Sequence, residues 1–142
     1  MIVVVCPGQG SQTPGFLEPW LAVDGVRERL DAYSAASEVD VIRHGTVSDA
    51  AVIRDTKVAQ PLIVAASLAA WHVLADRVDT ARIGGVAGHS VGEFAAVAAA
   101  GVLEDAEALR LVGIRGRAMA HAAAFEVTGM SAVIGGVEDE VL

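Results

Sequence analysis

Gly88-His89-Ser90-Val91-Gly92-Glu93 follows the short apolar run Ile83-Gly84-Gly85-Val86-Ala87 and leads into an alanine-rich stretch from Val91 to Ala100. A serine between two glycines, where a buried strand passes into a helix, is the Gly-x-Ser-x-Gly arrangement of a nucleophile elbow. The tight turn strains the serine backbone, and a Cβ at position 88 or 92 would collide with the neighbouring strand or helix. The helix start then aims free N–H groups and positive partial charge at the point where an oxyanion would form. A serine that merely caps a helix after a glycine-rich turn produces the same motif. The strand–turn–helix context favours catalysis.

Working outward, Ile2 to Cys6 reads as a β-branched strand buried on both faces, as in a parallel sheet. Pro7-Gly8-Gln9-Gly10-Ser11-Gln12 follows as a glycine-rich loop. Helical patterning covers Phe16 to Ala36, broken near Asp24-Gly25, and short polar and helical pieces occupy Glu38 to Asp55. A stronger helix runs from Gln60 to Arg77, with Pro61 in its first turn. Asp105 is the expected cap of a helix reaching Ala123, whose Leu109, Val112, Gly116 and Met119 share one face. Near Thr128 the character changes. Met130 to Ile134 reads as a new strand, Gly135-Gly136 as a turn, and Glu138-Asp139-Glu140 as the acidic start of a helix. The alternation predicts an α/β fold, a parallel sheet flanked by helices. A chain that stops one turn into an element is expected to be truncated.

The 142 residues are 54% hydrophobic and 4% aromatic, which suits one domain with helices packed closely on a sheet. A net charge of −8 argues against nucleic-acid binding, which needs clustered Lys and Arg. The one local basic concentration is Arg110, Arg115 and Arg117, a patch able to meet an acidic partner. Cys6 is the only cysteine, so an internal disulfide and a cysteine zinc cluster are excluded. It reads as a buried structural thiol, and no metal is expected. The opening Met1-Ile2-Val3-Val4-Val5 is too short for a signal sequence and lacks a basic flank. Pro61 to Trp71 and Phe94 to Leu103, the longest apolar stretches, are each about half of a bilayer span. The expectation is a soluble, cytoplasmic protein without a membrane partner.

Four motifs stand in one order: the loop Pro7 to Gln12, Gln60-Pro61, the elbow Gly88 to Glu93, and Arg115-Gly116. Together they resemble the malonyl-CoA:acyl carrier protein transacylase family, from the first residue to the last. The acyltransferase domains of polyketide and fatty-acid synthases share these motifs and are the nearest alternative. The resemblance implies an α/β-hydrolase-like acyltransferase core over residues 1–127 and the beginning of a small ferredoxin-like subdomain over 128–142. It implies that Ser90 attacks malonyl-CoA and holds the malonyl group as an ester until the phosphopantetheine thiol of acyl carrier protein takes it. No bound cofactor is implied; malonyl-CoA is a substrate.

The same resemblance gives the backbone N–H groups of Gln9 and Val91 as the oxyanion hole and Arg115 as the grip on the malonyl carboxylate. A guanidinium offers such a carboxylate a planar, bidentate fork; a surface arginine on an amphipathic helix is the plain alternative. Gln60 resembles a polar residue near the pocket, and a plain helix-start glutamine fits equally well. His89 is too close in sequence to Ser90 to act as its base, and its imidazole is expected to pack and hydrogen-bond beneath the turn. His44, His72 and His121 carry no motif. Gly84-Gly85 is not followed by Gly-Lys-Ser/Thr and is no phosphate loop. A serine needs a base within hydrogen-bond reach, and the family's histidine would lie past Leu142. Two further readings stay open, a serine acyl hydrolase of esterase or phospholipase type and a non-catalytic fragment.

Overall fold

In the computed structural model, which describes residues 1–125, Gly135 and Val137, two parallel strands carry the elbow. β1 (Ile2–Cys6) pairs with β2 (Ile83–Gly88) in a register running from Val3 opposite Gly85 to Cys6 opposite Gly88. Between them lie a 3₁₀ turn (Glu18–Ala22), α1 (Val26–Ser37), α2 (Val41–Thr46), α3 (Ala50–Arg54) and α4 (Thr56–Ala75). α5 (Gly92–Ala99) and α6 (Asp105–Ala123) follow β2. The expected break near Asp24-Gly25 is present, with Gly25 at the N-cap position of α1. This is an α/β fold with a small parallel sheet and helices packed against it.

The strands are not buried on both faces. Successive side chains of a strand point to opposite sides, so Cys6 enters the core while Val3 and Val5 are 52% and 70% exposed. That second side is only partly covered among the described residues. The periodicity of a β-branched run cannot register which face will be covered.

α4 is the core helix. Ten of its residues, from Val58 to Ala69, are buried, and they pack with Leu30 of α1, Ala95 of α5 and Leu109 and Val112 of α6. The helix starts four residues before Gln60, because the Asp55 carboxylate accepts the Lys57 N–H and caps it there. Gln60-Pro61 therefore sits in the second turn, not at the opening. By length and mean hydropathy (1.6) this 20-residue helix is long and apolar enough to cross a membrane; the uninterrupted apolar stretch inside it is the shorter one read from the sequence. α6 runs antiparallel to α4, since Gln60 meets Met119 at one end of the seam and His72 meets Asp105 at the other.

Glu104, not Asp105, occupies the N-cap position of α6, and no side chain caps it. The Asp105 carboxylate is committed elsewhere: Tyr33 Oη–H and His72 Nε2–H both donate to Oδ2, the latter at 2.7 Å. Leu109, Val112 and Gly116 are buried as expected, whereas Met119 is 41% exposed. The strand expected over 130–134 and the subdomain boundary at 127/128 lie outside the described residues.

Candidate active site

β2 ends at Gly88 and α5 begins at Gly92, so only three residues turn the chain from strand to helix. Ser90 takes φ +52°, in the left-handed region. For a residue with a Cβ that conformation costs on the order of 1–3 kcal/mol and persists only where its surroundings hold it. They do so with three hydrogen bonds: Gly92 N–H to His89 O (3.0 Å), Glu93 N–H to Ser90 O (3.1 Å) and His89 N–H to Cys6 O (3.0 Å). A Cβ on residue 88 would overlap the backbone of Gly92 and Glu93, and one on residue 92 the carbonyls of Cys6 and Pro7. Both glycines are thus fixed by close approach. Ser90 does not cap α5, whose N-cap position is Val91 and which has no side-chain cap. The hydroxyl is left exposed.

Val91 anchors the turn with a side chain only 1% exposed. Among the described residues neither its backbone N–H nor that of Gln9 is engaged in a hydrogen bond. The loop carrying Gln9 leaves β1 directly beside the elbow, with Gly8 against the His89 ring. The Gln9 side chain turns the other way, its Nε2 3.4 Å from Thr56 Oγ1 and 3.5 Å from Arg54 O. Gln9 therefore links the elbow to the start of α4. One turn further along α4, Gln60 is 1% exposed and donates through Nε2 to Met119 Sδ at 3.2 Å. Among the described residues its Oε1 is buried without a partner, and so is Nη1 of Arg115. Arg115 is positioned by its neighbour Gly116, which lets α6 approach Thr56 and Lys57 of α4 closely.

His89 departs from expectation. It is exposed, and its imidazole rests against Gly8 instead of hydrogen-bonding beneath the turn. The space below the elbow is taken by the Cys6 and Pro7 carbonyls, which press on Gly92. His44 Nδ1 lies 2.9 Å from Ser48 Oγ, and His121 packs edge-on against Phe125. Arg117 is more than a solvated side chain, since it donates to Ser37 O and pairs with Glu38, both at 3.1 Å. Arg110 forms an exposed fork on Glu107 that holds the glutamate carboxyl below its ordinary range.

Burial raises the Cys6 thiol above its ordinary range. The sequence reading missed two arrangements: the Tyr33–Asp105–His72 cluster, and Gln12, whose amide spans the glycine-rich loop and α3. A groove of about 320 Å³ runs along β1 and α4, lined by Val5, Pro7, Phe16, Trp20, Ile63 and Trp71 among others, and neither Ser90 nor Arg115 lines it. Among the described residues no group of three or more His, Cys, Asp or Glu could hold a metal ion.

The acyl transferase domain family matches residues 3–140. The chain belongs to that family. Within it, the chain is 52% identical, over 143 aligned residues, to the malonyl CoA-acyl carrier protein transacylase of Mycobacterium tuberculosis, covering 100% of this chain and 47% of that protein. The crystal structure of the enzyme from Mycobacterium tuberculosis superposes with a TM-score of 0.93 over 99% of this chain and 47% of the other, at 52% identity. A malonyl-transacylase solved in complex with its type II acyl-carrier protein matches with a TM-score of 0.77 at 33% identity, over 84% of this chain and 39% of the other. The chain thus spans about half the length of the relatives it matches.

Proposed function

We propose that the protein transfers a malonyl group from malonyl-CoA to the phosphopantetheine thiol of acyl carrier protein, for fatty-acid biosynthesis in the cytoplasm. Ser90 Oγ attacks the thioester carbonyl, the C–S bond breaks, and coenzyme A leaves as the thiol, carrying the proton the serine gave up. The carrier's thiol then attacks the malonyl-Ser90 ester and returns the hydroxyl. The Val91 and Gln9 N–H groups receive the negative charge that develops on the carbonyl oxygen in both steps. Each is free of other partners and sits beside the elbow, which supports the assignment.

The observation that carries the malonyl reading is the buried, unpartnered Nη1 of Arg115. A guanidinium held in this state has hydrogen-bonding capacity reserved for an anion, and a carboxylate accepts it in bidentate fashion. Gln60 Oε1 is likewise buried and without a partner among the described residues. An esterase or phospholipase acting on neutral acyl groups has no use for that arginine. None of the histidines hydrogen-bonds to Ser90 among the described residues.

Intact-mass spectrometry of the full-length protein after incubation with malonyl-CoA tests the acyl-enzyme step. The expected result is a gain of one malonyl group that Ser90→Ala abolishes. An adduct that survives Ser90→Ala, or none on the unaltered protein, contradicts the reading.

A further inference from the structure

We propose that Gln12 is a positioning residue for acyl transfer: it holds the glycine-rich loop so that the Gln9 N–H stands at the reacting carbonyl. The inference rests on the acyl-enzyme reading above. The beginning of the loop needs no help, because Cys6 and Pro7 are pinned by the His89 N–H bond and by contact with Gly92. Its far side is different. Gly10 takes φ +109°, and no atom lies within 4 Å of where a Cβ would stand, so packing does not fix the loop there.

Gln12 supplies the missing constraint with both ends of one amide. Its Oε1 accepts the Gly10 N–H at 2.9 Å, and its Nε2 donates to Ile53 O at 3.0 Å. Ile53 is a rigid anchor, 1% exposed at the end of α3. Asp49 caps α3 and Asp55 caps α4 on either side of it. The Gln9 side chain reaches the same junction only at 3.4 and 3.5 Å, at the weak limit of a hydrogen bond. The strong tether of residues 9 and 10 is therefore the Gln12 amide. Gln12 touches no substrate in this scheme; it acts through the backbone of Gln9.

The test is rapid-quench measurement of malonyl-Ser90 formation in the full-length protein with Gln12→Met and Gln12→Glu. Methionine keeps the length and loses both bonds. Glutamate keeps an acceptor for Gly10 but sets a carboxylate oxygen against the Ile53 carbonyl. A misplaced donor lowers the chemical step, so the burst rate constant is expected to fall about ten- to hundredfold in both variants, with KM for malonyl-CoA within about threefold. The burst amplitude counts folded sites, so a variant that folds poorly still reports its rate per site. A burst rate constant equal to that of the unaltered protein in either variant overturns the proposal. So does a loss confined to amplitude, or a rise in KM alone. Malonylation that persists in Ser90→Ala would instead remove the acyl-enzyme reading beneath it.

Discussion

At one end of the α4–α6 seam, Tyr33 and His72 both donate to Asp105; at the other, Gln60 reaches Met119 while its own Oε1 and Arg115 Nη1 stay without partners. The same two helices form both ends: Tyr33 and Gln60 are buried, while the side chains of His72 and Asp105 stay 31% and 24% exposed. A buried polar atom left without a hydrogen bond costs about 1–3 kcal/mol, and more when charged. The first end avoids that cost through a third helix, α1, which brings Tyr33. The second accepts it, beside the loop and elbow that hold the strained Ser90. The unsatisfied atoms lie on the side where a ligand is proposed to bind. An unmet hydrogen bond in a native fold calls for such an explanation.

Breaking the satisfied end should have the largest effect on stability. Asp105→Ala leaves the buried Tyr33 hydroxyl and the His72 N–H without their acceptor, and unfolding measured in urea should show a loss of about 2–3 kcal/mol. An unchanged midpoint would erase the contrast between the two ends. Tyr33→Phe removes one donor and leaves His72 on Asp105, so a loss of about 1 kcal/mol at neutral pH is expected.

The Tyr33 substitution also sharpens the comparison through pH. Burial first, and then the bond to Asp105, raise the Tyr33 pKa well above the ordinary 10.0. The unfolded chain therefore releases this proton before the folded one. The stability it contributes is present below pH 10 and declines as pH rises above it. Unfolding midpoints followed from pH 9 to 11 should fall more steeply for the unaltered protein than for Tyr33→Phe; parallel curves would show that the hydroxyl is not held neutral by the cluster.

The elbow was the most legible part of this chain. Gly88, Ser90 and Gly92 are dictated by local sterics, and the structure returns both overlaps and the positive φ of Ser90. The break at Gly25 and the helix after the elbow were legible for the same reason. Pro61 misled because proline is common in a first turn, yet Asp55, five residues before Gln60, captured the helix start with a side-chain cap. Asp105 misled likewise: an acidic residue at a helix start resembles a cap, and only the folded chain brings Tyr33 and His72 to it from 72 and 33 residues away. Gln12 sits in plain view in the loop, but its partner Ile53 O is 41 residues distant and is a backbone atom. Long-range polar pairing leaves no periodicity to read.

Arg115 is proposed to keep a hydrogen-bonding nitrogen in reserve for the substrate's carboxylate. Competition between malonyl-CoA and acetyl-CoA for the full-length protein, with and without Arg115→Ala, tests it most directly. Arg115→Ala is expected to lower the malonyl preference by about a hundredfold, the scale of one buried charge-assisted pair, while stability holds or rises. An unchanged malonyl-to-acetyl ratio would contradict it.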